Sequence, residues 1–359
     1  MFAGLKSHRN HIAAVSLGAL MAAFATSASA QTVRIAFGDI ASVEAANLLI
    51  ALERIKERGV EVEVIEFNAE DIANQAVVNG QADIGVGAPY AIIQNVQTPI
   101  RMFYQLSTLR FFPVVDKTLY PDWASLDGES FAVHSRGSGT EAMARLIEQT
   151  EGITFSDLSY VPGSDVRTLA LIRGNVSATF LDIAGRDVVL AEDSENFGVL
   201  EIEDVDATDE APFARTDWME ENAETMDIIV EELLGTWQEI NADPSIVATQ
   251  VEELGLLPDL PDELRAEIGP YFTQAVETDT FPDDGGDPGI VEDDIAFFSA
   301  SGQISGDTAA LTAEDFWYFA PLERARGTGT EDAAEPAAAP EAGAAPADGT
   351  TPETRTAPN

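Results

Sequence analysis

From Thr32 onward, short strand-like runs alternate with helical stretches, and no other feature constrains the fold as much. Val33 to Phe37 reads as a strand and Gly38-Asp39 as the turn after it. Val43 to Arg58 places Ala46, Leu49 and Ile50 on one side of a helix that Gly59 stops. Val60 to Phe67 is a second strand, with Val60, Val62 and Val64 alternating against Glu61 and Glu63. A helix over Ile72 to Val78 ends at Gly80, and Asp83 to Gly87 is a third strand. Strands and helices at this spacing mean βαβ units and a largely parallel sheet, so the fold class is α/β.

The unit recurs. Val77-Val78-Asn79-Gly80 before Ala82-Asp83-Ile84-Gly85 is echoed by Leu171-Ile172-Arg173-Gly174 before Val176-Ser177-Ala178-Thr179. Both segments end a helix at glycine and enter a small-residue strand, which fits two similar lobes, each a mainly parallel sheet flanked by helices. Met102 to Leu106 and Phe111 to Val115 suit a crossover between the lobes, and Gly198 to Ile202 is the candidate return strand. The acidic stretch Glu203 to Glu210 leads to Pro212-Phe213, and the remainder is helical over Trp218 to Asn241, Ser245 to Leu254, Asp262 to Val276 and Ile290 to Ala300. The expected boundaries are 31–108 for the first part of lobe 1, 109–208 for lobe 2, and 209–326 for the return to lobe 1 with the C-terminal helices.

The two ends differ from this body. Lys6 and Arg9, the apolar run Ile12 to Phe24 and the small-residue site Ala28-Ser29-Ala30 form a secretory signal peptide over 1–30, cleaved after Ala30. The run is shorter than the roughly 20 apolar residues of a membrane span. The expected location is the periplasm. Residues 327–359 are an acidic Ala/Pro-rich tail that cannot bury enough surface to offset its ordering entropy, and disorder is expected there. The chain has no cysteine, which excludes disulfides, thiol catalysis and Cys-ligated metal. Losing Lys6 and Arg9 takes the formal net charge from −44 to −46, so nucleic acid is not an expected partner.

Catalytic and metal motifs are missing. The cleaved chain retains one histidine, His134, which rules out a multi-histidine metal site. Gly137-Ser138-Gly139 is neither a nucleophile elbow nor a phosphate loop. No catalytic residue, metal or cofactor is expected. The loop Ser135-Arg136-Gly137-Ser138-Gly139-Thr140, between a strand over Ser130 to His134 and a helix, is the leading candidate for ligand contact. Ser138 and Glu141 form a capping box, and a helix start offers unpaired N–H groups to an anion. Arg136 adds a fork of donors for a carboxylate or sulfonate, with Arg110 as a second cation. Ala88-Pro89-Tyr90 forms a second candidate wall where the third strand ends, because open α/β sheets bind ligands at that edge. Gly38, Asp39 and Asp182 occupy equivalent strand ends, where either aspartate suits an amine or hydroxyl, or simply caps a helix.

Four segments in this order carry a resemblance: Gly80 to Gly85, Leu126 to Val133 before the Ser/Gly loop, Trp237-Gln238-Glu239-Ile240-Asn241-Ala242-Asp243-Pro244, and Phe297 to Ile304. Over Val33 to Ala325 the chain resembles the nitrate/sulfonate/taurine-type solute-binding proteins of ATP-driven (ABC) importers, a group that also includes binders of pyrimidine precursors. The resemblance implies a type II periplasmic-binding-protein fold that closes on a small-molecule ligand, serves the membrane subunits of an importer and acts as a monomer. A small organic anion, a sulfonate or carboxylate, is the first expectation. The negative charge keeps a zwitterion or a pyrimidine-like heterocycle open. A periplasmic enzyme of the same fold is a further alternative, disfavoured by one histidine and no cysteine.

Overall fold

In a computed structural model of the protein, the structure describes residues 32–328, apart from 97 and 204. The expected signal peptide, and the tail beyond Thr328, lie outside the described residues.

The first sheet begins with β1 (Val33–Phe37), β2 (Val62–Glu66) and β3 (Ile84–Gly87), linked by α1 (Ala46–Glu57) and α2 (Glu70–Val78). After α3 (Tyr90–Asn95) come β4 (Ile100–Met102) and the short β5 (Ser107–Thr108). The chain then builds a second sheet from β6 (Phe112–Asp116), β7 (Ser130–Val133), β8 (Asp157–Tyr160), β9 (Ala178–Leu181) and β10 (Phe197–Val199). Helices α4 (Gly139–Glu151), α5 (Ser164–Ile172) and α6 (Ile183–Asp193) flank that sheet. It returns to the first sheet as β11 (Thr208–Arg215). The C-terminal part is helical: α7 (Thr216–Glu221), α8 (Ala223–Ala242), α9 (Ile246–Leu254), α10 (Asp262–Arg265), α11 (Ile268–Glu277), α12 (Pro288–Ala300) and α13 (Ala320–Ala325).

The two sheets share one plan. Their orders are β2-β1-β3-β11-β4 and β8-β7-β9-β6-β10. In each, three parallel strands are followed by one arriving from the other lobe, which runs antiparallel to both its neighbours. The sequence echo falls on matching elements. The helices α2 and α5 are each 9 residues long, and Gly80 and Gly174 follow them at φ 71° and 69°, where a side chain would be strained. Both arriving strands contain a proline that cannot donate. Its carbonyl still accepts, from Leu200 N–H at Pro113 (2.9 Å) and from Phe103 N–H at Pro212 (3.1 Å).

Three sequence expectations need correction. The segment near Gly198 is not the return: β10 pairs with β6 at the edge of the second sheet. The return strand is β11, which lies partly in the stretch read as an acidic lead, with Asp209 and Glu210 in its first turn of pairing against β5. Its proline and charges hide a strand that sits between β3 and β4. The run over Asp262 to Val276 is two helices, and the break before Ile268 puts Pro270 in a first turn, where its missing N–H costs nothing. The run over Trp218 to Asn241 is likewise divided, at Asn222.

Helices α1, α8 and α13 pack together over one face of the first sheet. Trp237 of α8 is fully buried there, and its Nε1–H donates to the Leu106 carbonyl at 2.7 Å. Asn241, one turn on, donates from Nδ2 to Phe281 O (3.0 Å). The Trp237-to-Asn241 segment thereby fixes two loops that line the space between the lobes.

Candidate functional site

The ends of β1, β3, β7 and β9, the start of α5 and the two crossing segments converge between the lobes. They border two narrow, adjoining voids, each with room for little more than a water molecule as the lobes now stand, that share Glu44, Phe111, Asp209 and Glu210. This is where open α/β sheets present ligand-binding loops. Direct bonds hold the lobes together around it. His134 Nε2–H donates to Gly38 O (3.2 Å), and Gln303 Nε2–H donates to Ser138 O (3.1 Å). Across the rim, Arg186 Nη2–H donates to Gln274 Oε1 and Gln274 Nε2–H to Asp187, both at 2.7 Å.

Six carboxylates face the voids: Asp39, Glu44, Glu70, Asp182, Asp209 and Glu210. Burial pushes Glu70 up to about 8, and the charges of Asp209 and Asp39 add to it. Burial likewise pushes Asp209 up to about 7, with Asp39 adding. Glu44 and Glu210 are raised well above the ordinary carboxylate range, by burial and then by carboxylate neighbours. Asp182 is raised by burial although it caps α6, accepting from Gly185 N–H at 2.7 Å. Such groups stay charged only beside a compensating cation; otherwise they take up protons.

Few cations offset them. His134 is buried, and burial lowers its pKa despite Asp39 Oδ2 at 3.5 Å from Nδ1. It serves as a neutral ring, donating from Nε2 to Gly38 while Nδ1 accepts from Gly163 N–H (3.4 Å). Arg167 of α5 is 1% exposed. Its Nε–H donates to Phe180 O and its Nη1–H to Val161 O, both at 2.9 Å, and Nη2 has no hydrogen-bond partner among the described residues. Arg110 borders the first void, but its donors go to the carbonyls of Leu109, Val205 and Thr278 and to Asp206. It clamps the two crossing segments to the loop after α11. Among the described residues, no three His, Asp or Glu side chains are grouped so as to hold a metal ion.

The sequence candidates separate into those at the voids and those away from them. Gly38, Asp39, Ser138, Gly139, Thr140 and Asp182 line them, and Arg110 borders one. Ser138 caps α4 by accepting from Glu141 N–H (3.2 Å). The return arm of the expected box goes to Gly137 N–H instead, which donates to Glu141 at 2.7 Å. Ser135 is buried behind the loop, against Glu70 N–H. Arg136 is exposed and points outward, its guanidinium carbon 4.7 Å above the Tyr160 ring. Tyr90 turns away from the cleft into the first lobe. Fully buried, it donates to Asp294, accepts from Trp317 Nε1–H and stacks on Phe298 at 4.6 Å. The Ala88-Pro89-Tyr90 corner is filled by Glu70, which accepts from Ala88 N–H (3.3 Å) and lies 2.8 Å from where a Gly87 Cβ would stand. The start of α4 also faces an acid, since Asp209 Oδ1 lies 3.5 Å from the position of a Gly139 Cβ.

Glu44, Glu70, Arg167, Asp209, Glu210 and Tyr271 were not singled out from the sequence. Glu70 and Arg167 were within reach of the strand-end argument, because they follow β2 and β8 as Asp39 follows β1. Nothing local marks Glu44 or Tyr271.

Residues 46–246 match the family described as NMT1/THI5 like. No curated protein matches the chain in sequence. Among solved structures, a protein of Bordetella bronchiseptica RB50 is similar at 20% identity and a TM-score of 0.66, covering 82% of this chain and 97% of its own. The ligand-binding component of an ABC-type import system from Staphylococcus aureus, with zinc bound, is similar at 12% identity and a TM-score of 0.63, covering 82% and 99%. The periplasmic nitrate-binding protein NrtA of Synechocystis PCC 6803 is similar at 14% identity and 0.60, covering 85% and 87%. The architecture is thus the two-lobed periplasmic-binding-protein fold.

Proposed function

Since the chain belongs to the NMT1/THI5-like family, we propose that it is the substrate-binding component of an ABC-type importer, capturing a small organic solute between its lobes. The observation that carries this reading is the cleft. Loops from both sheets and both crossing segments meet there, and the groups facing the two adjoining voids include uncommitted polar atoms. A solute touching both lobes favours the closed form, and that form is what an importer can recognise. The crossing pair β5 and β11 is the natural hinge, since it is the covalent path between the sheets.

Binding rather than catalysis suits the residues present. The one imidazole among the described residues is buried with both nitrogens engaged. Residues 1–30 read as a leader, which supports a periplasmic protein that delivers its solute to membrane subunits.

A thermal-shift screen of sulfonates, carboxylates, betaines, amines and pyrimidines tests this reading. A true solute should raise the melting temperature by mass action, and small-angle scattering should report a more compact particle with it than without. If no compound stabilises the protein, or a stabilising compound is chemically converted, the importer reading fails.

A further inference from the structure

The charge inside the cleft defines the solute more narrowly, on the reading that this cleft is the solute site. Resting on the geometry described above, we propose that the solute is an organic cation of the amine class, most simply a diamine. Its charged nitrogens would be held by Glu44, Asp209 and Glu210, and its carbon chain would lie against Phe111 and Tyr271.

Three observations converge on this. First, the shared part of the two voids is bordered by Glu44, Asp209, Glu210 and Phe111, so the centre of the cleft is acidic and aromatic together. Carboxylates supply the counter-charge for an ammonium, and aromatic faces attract it further. Second, Tyr271 is 6% exposed, lines the first void and has no hydrogen-bond partner for its hydroxyl among the described residues. Burial and then the charges of Glu44, Asp182, Asp209 and Glu210 raise its pKa, which places that uncommitted hydroxyl near four carboxylates. Third, the donors an anion would need are already committed. Arg110 is bonded to three carbonyls and Asp206, Arg136 stacks outside on Tyr160, and Asp209 faces the start of α4. What remains in the second void, among the described residues, is Nη2 of Arg167, which shares it with Asp39 and Glu70, and the Gly139 and Thr140 N–H groups beside Asp209.

A buried cluster of like charges is costly, and the cleft has two ways to relieve it: protons or a cationic solute. Without solute, the raised carboxylates carry protons. A cation replaces them, so binding releases protons and strengthens as pH rises. Facing the solute position are Asp39 and Glu44 from the first lobe's loop, Glu70 from α2, Asp182 from α6 and Asp209 and Glu210 from β11. His134, Arg167 and Arg110 are the basic groups around them.

Calorimetry of the ligand-free protein with putrescine, choline and ethanesulfonate, in 0.5 M sodium chloride to suppress non-specific attraction, tests the inference. One-to-one binding of putrescine or choline is expected, about tenfold tighter at pH 8 than at pH 6 for one proton released near pH 7. The Asp209→Asn/Glu210→Gln double variant should weaken it at least thirtyfold while melting no lower than wild type, because it removes repulsion. Glu252→Gln/Glu253→Gln, at two exposed acids on α9, should leave it unchanged. Ethanesulfonate binding in the absence of cation binding overturns the inference and leaves the importer reading standing. So does failure of all three probes when another solute closes the lobes. If no solute of any charge closes them, the importer reading itself falls.

Discussion

Lowering the pH from 8 to 6 should stabilise the ligand-free protein, which is the reverse of what paired surface carboxylates would do. Glu70 and Asp209 are raised to about 8 and about 7, so the folded state holds protons that the unfolded state, with ordinary carboxylates, has lost. With more protons bound in the folded form, stability falls as pH rises through this window and recovers as it drops. Integrating between pH 8 and 6 gives about 2.3 kcal/mol from Glu70 and about 1.4 kcal/mol from Asp209. His134 opposes them: burial lowers its pKa in the fold, so protonation of the unfolded chain toward pH 6 subtracts part of this gain. The two carboxyls together give a gain of a few kcal/mol, or several degrees in melting temperature for a chain of this size, to which Glu44 and Glu210 add and from which His134 subtracts. Scanning calorimetry at pH 6, 7 and 8 and constant ionic strength measures it. The Glu70→Gln/Asp209→Asn variant should show a smaller gain, reduced by the share of those two carboxyls, while Glu44 and Glu210, which stay raised, supply what remains. Each amide keeps an acceptor, for Ala88 N–H and for the Ser107 hydroxyl respectively. A melting temperature that is flat or higher at pH 8 in the wild-type protein refutes the protonated-cleft argument.

Three other outcomes are expected. Trp237→Phe should cost about 1–3 kcal/mol in urea unfolding, because the buried Leu106 carbonyl loses its donor; a loss under 0.5 kcal/mol would mean that water replaces the indole. Arg136→Ala should change stability by less than about 1 kcal/mol and solute affinity by less than about twofold, since only an exposed ring contact is lost; a tenfold loss of affinity would put Arg136 in the site after all. Raising sodium chloride from 0.02 to 1 M should raise the melting temperature, as screening relieves the self-repulsion of a chain with net charge −44; an unchanged transition would show that repulsion does not limit the fold.

Much of the architecture was legible because it is written in periodicity. The helix-Gly-strand echo at Gly80 and Gly174 marked two matching units, and both fall on equivalent elements. The strand-end rule found Asp39, Asp182 and the Ser138-Gly139-Thr140 loop at the voids. It misplaced Tyr90, because the residue that opens α3 can turn toward either side of the sheet. Here Asp294, far along the chain, supplies the partner that draws it inward. Arg136 and Arg167 make the same point from opposite directions. The first stood in a conspicuous Gly/Ser loop and faces solvent, while the second sat in an unremarkable helix and is buried at the cleft. The charge of the site was hidden for a different reason. Asp209 and Glu210 looked like two more acids in a chain full of them, and only the pairing of β11 with β5 brings them against Glu44 and Tyr271.

The exchange of strands between the sheets also fixes an order of assembly. The second sheet is one unbroken segment from Phe112 to Val199 and closes on itself as soon as that segment exists. The first sheet cannot, because β11 is wedged between β3 and β4 and arrives more than a hundred residues after both. Until Arg215 is in place, β3 presents an open edge and β4 has no partner in its sheet, a state prone to wrong pairing. The strand that ends this exposure is the one that brings Asp209 and Glu210. Completing the lobe and charging the pocket are therefore one folding event, and a chain with a finished first sheet already has its acidic cleft.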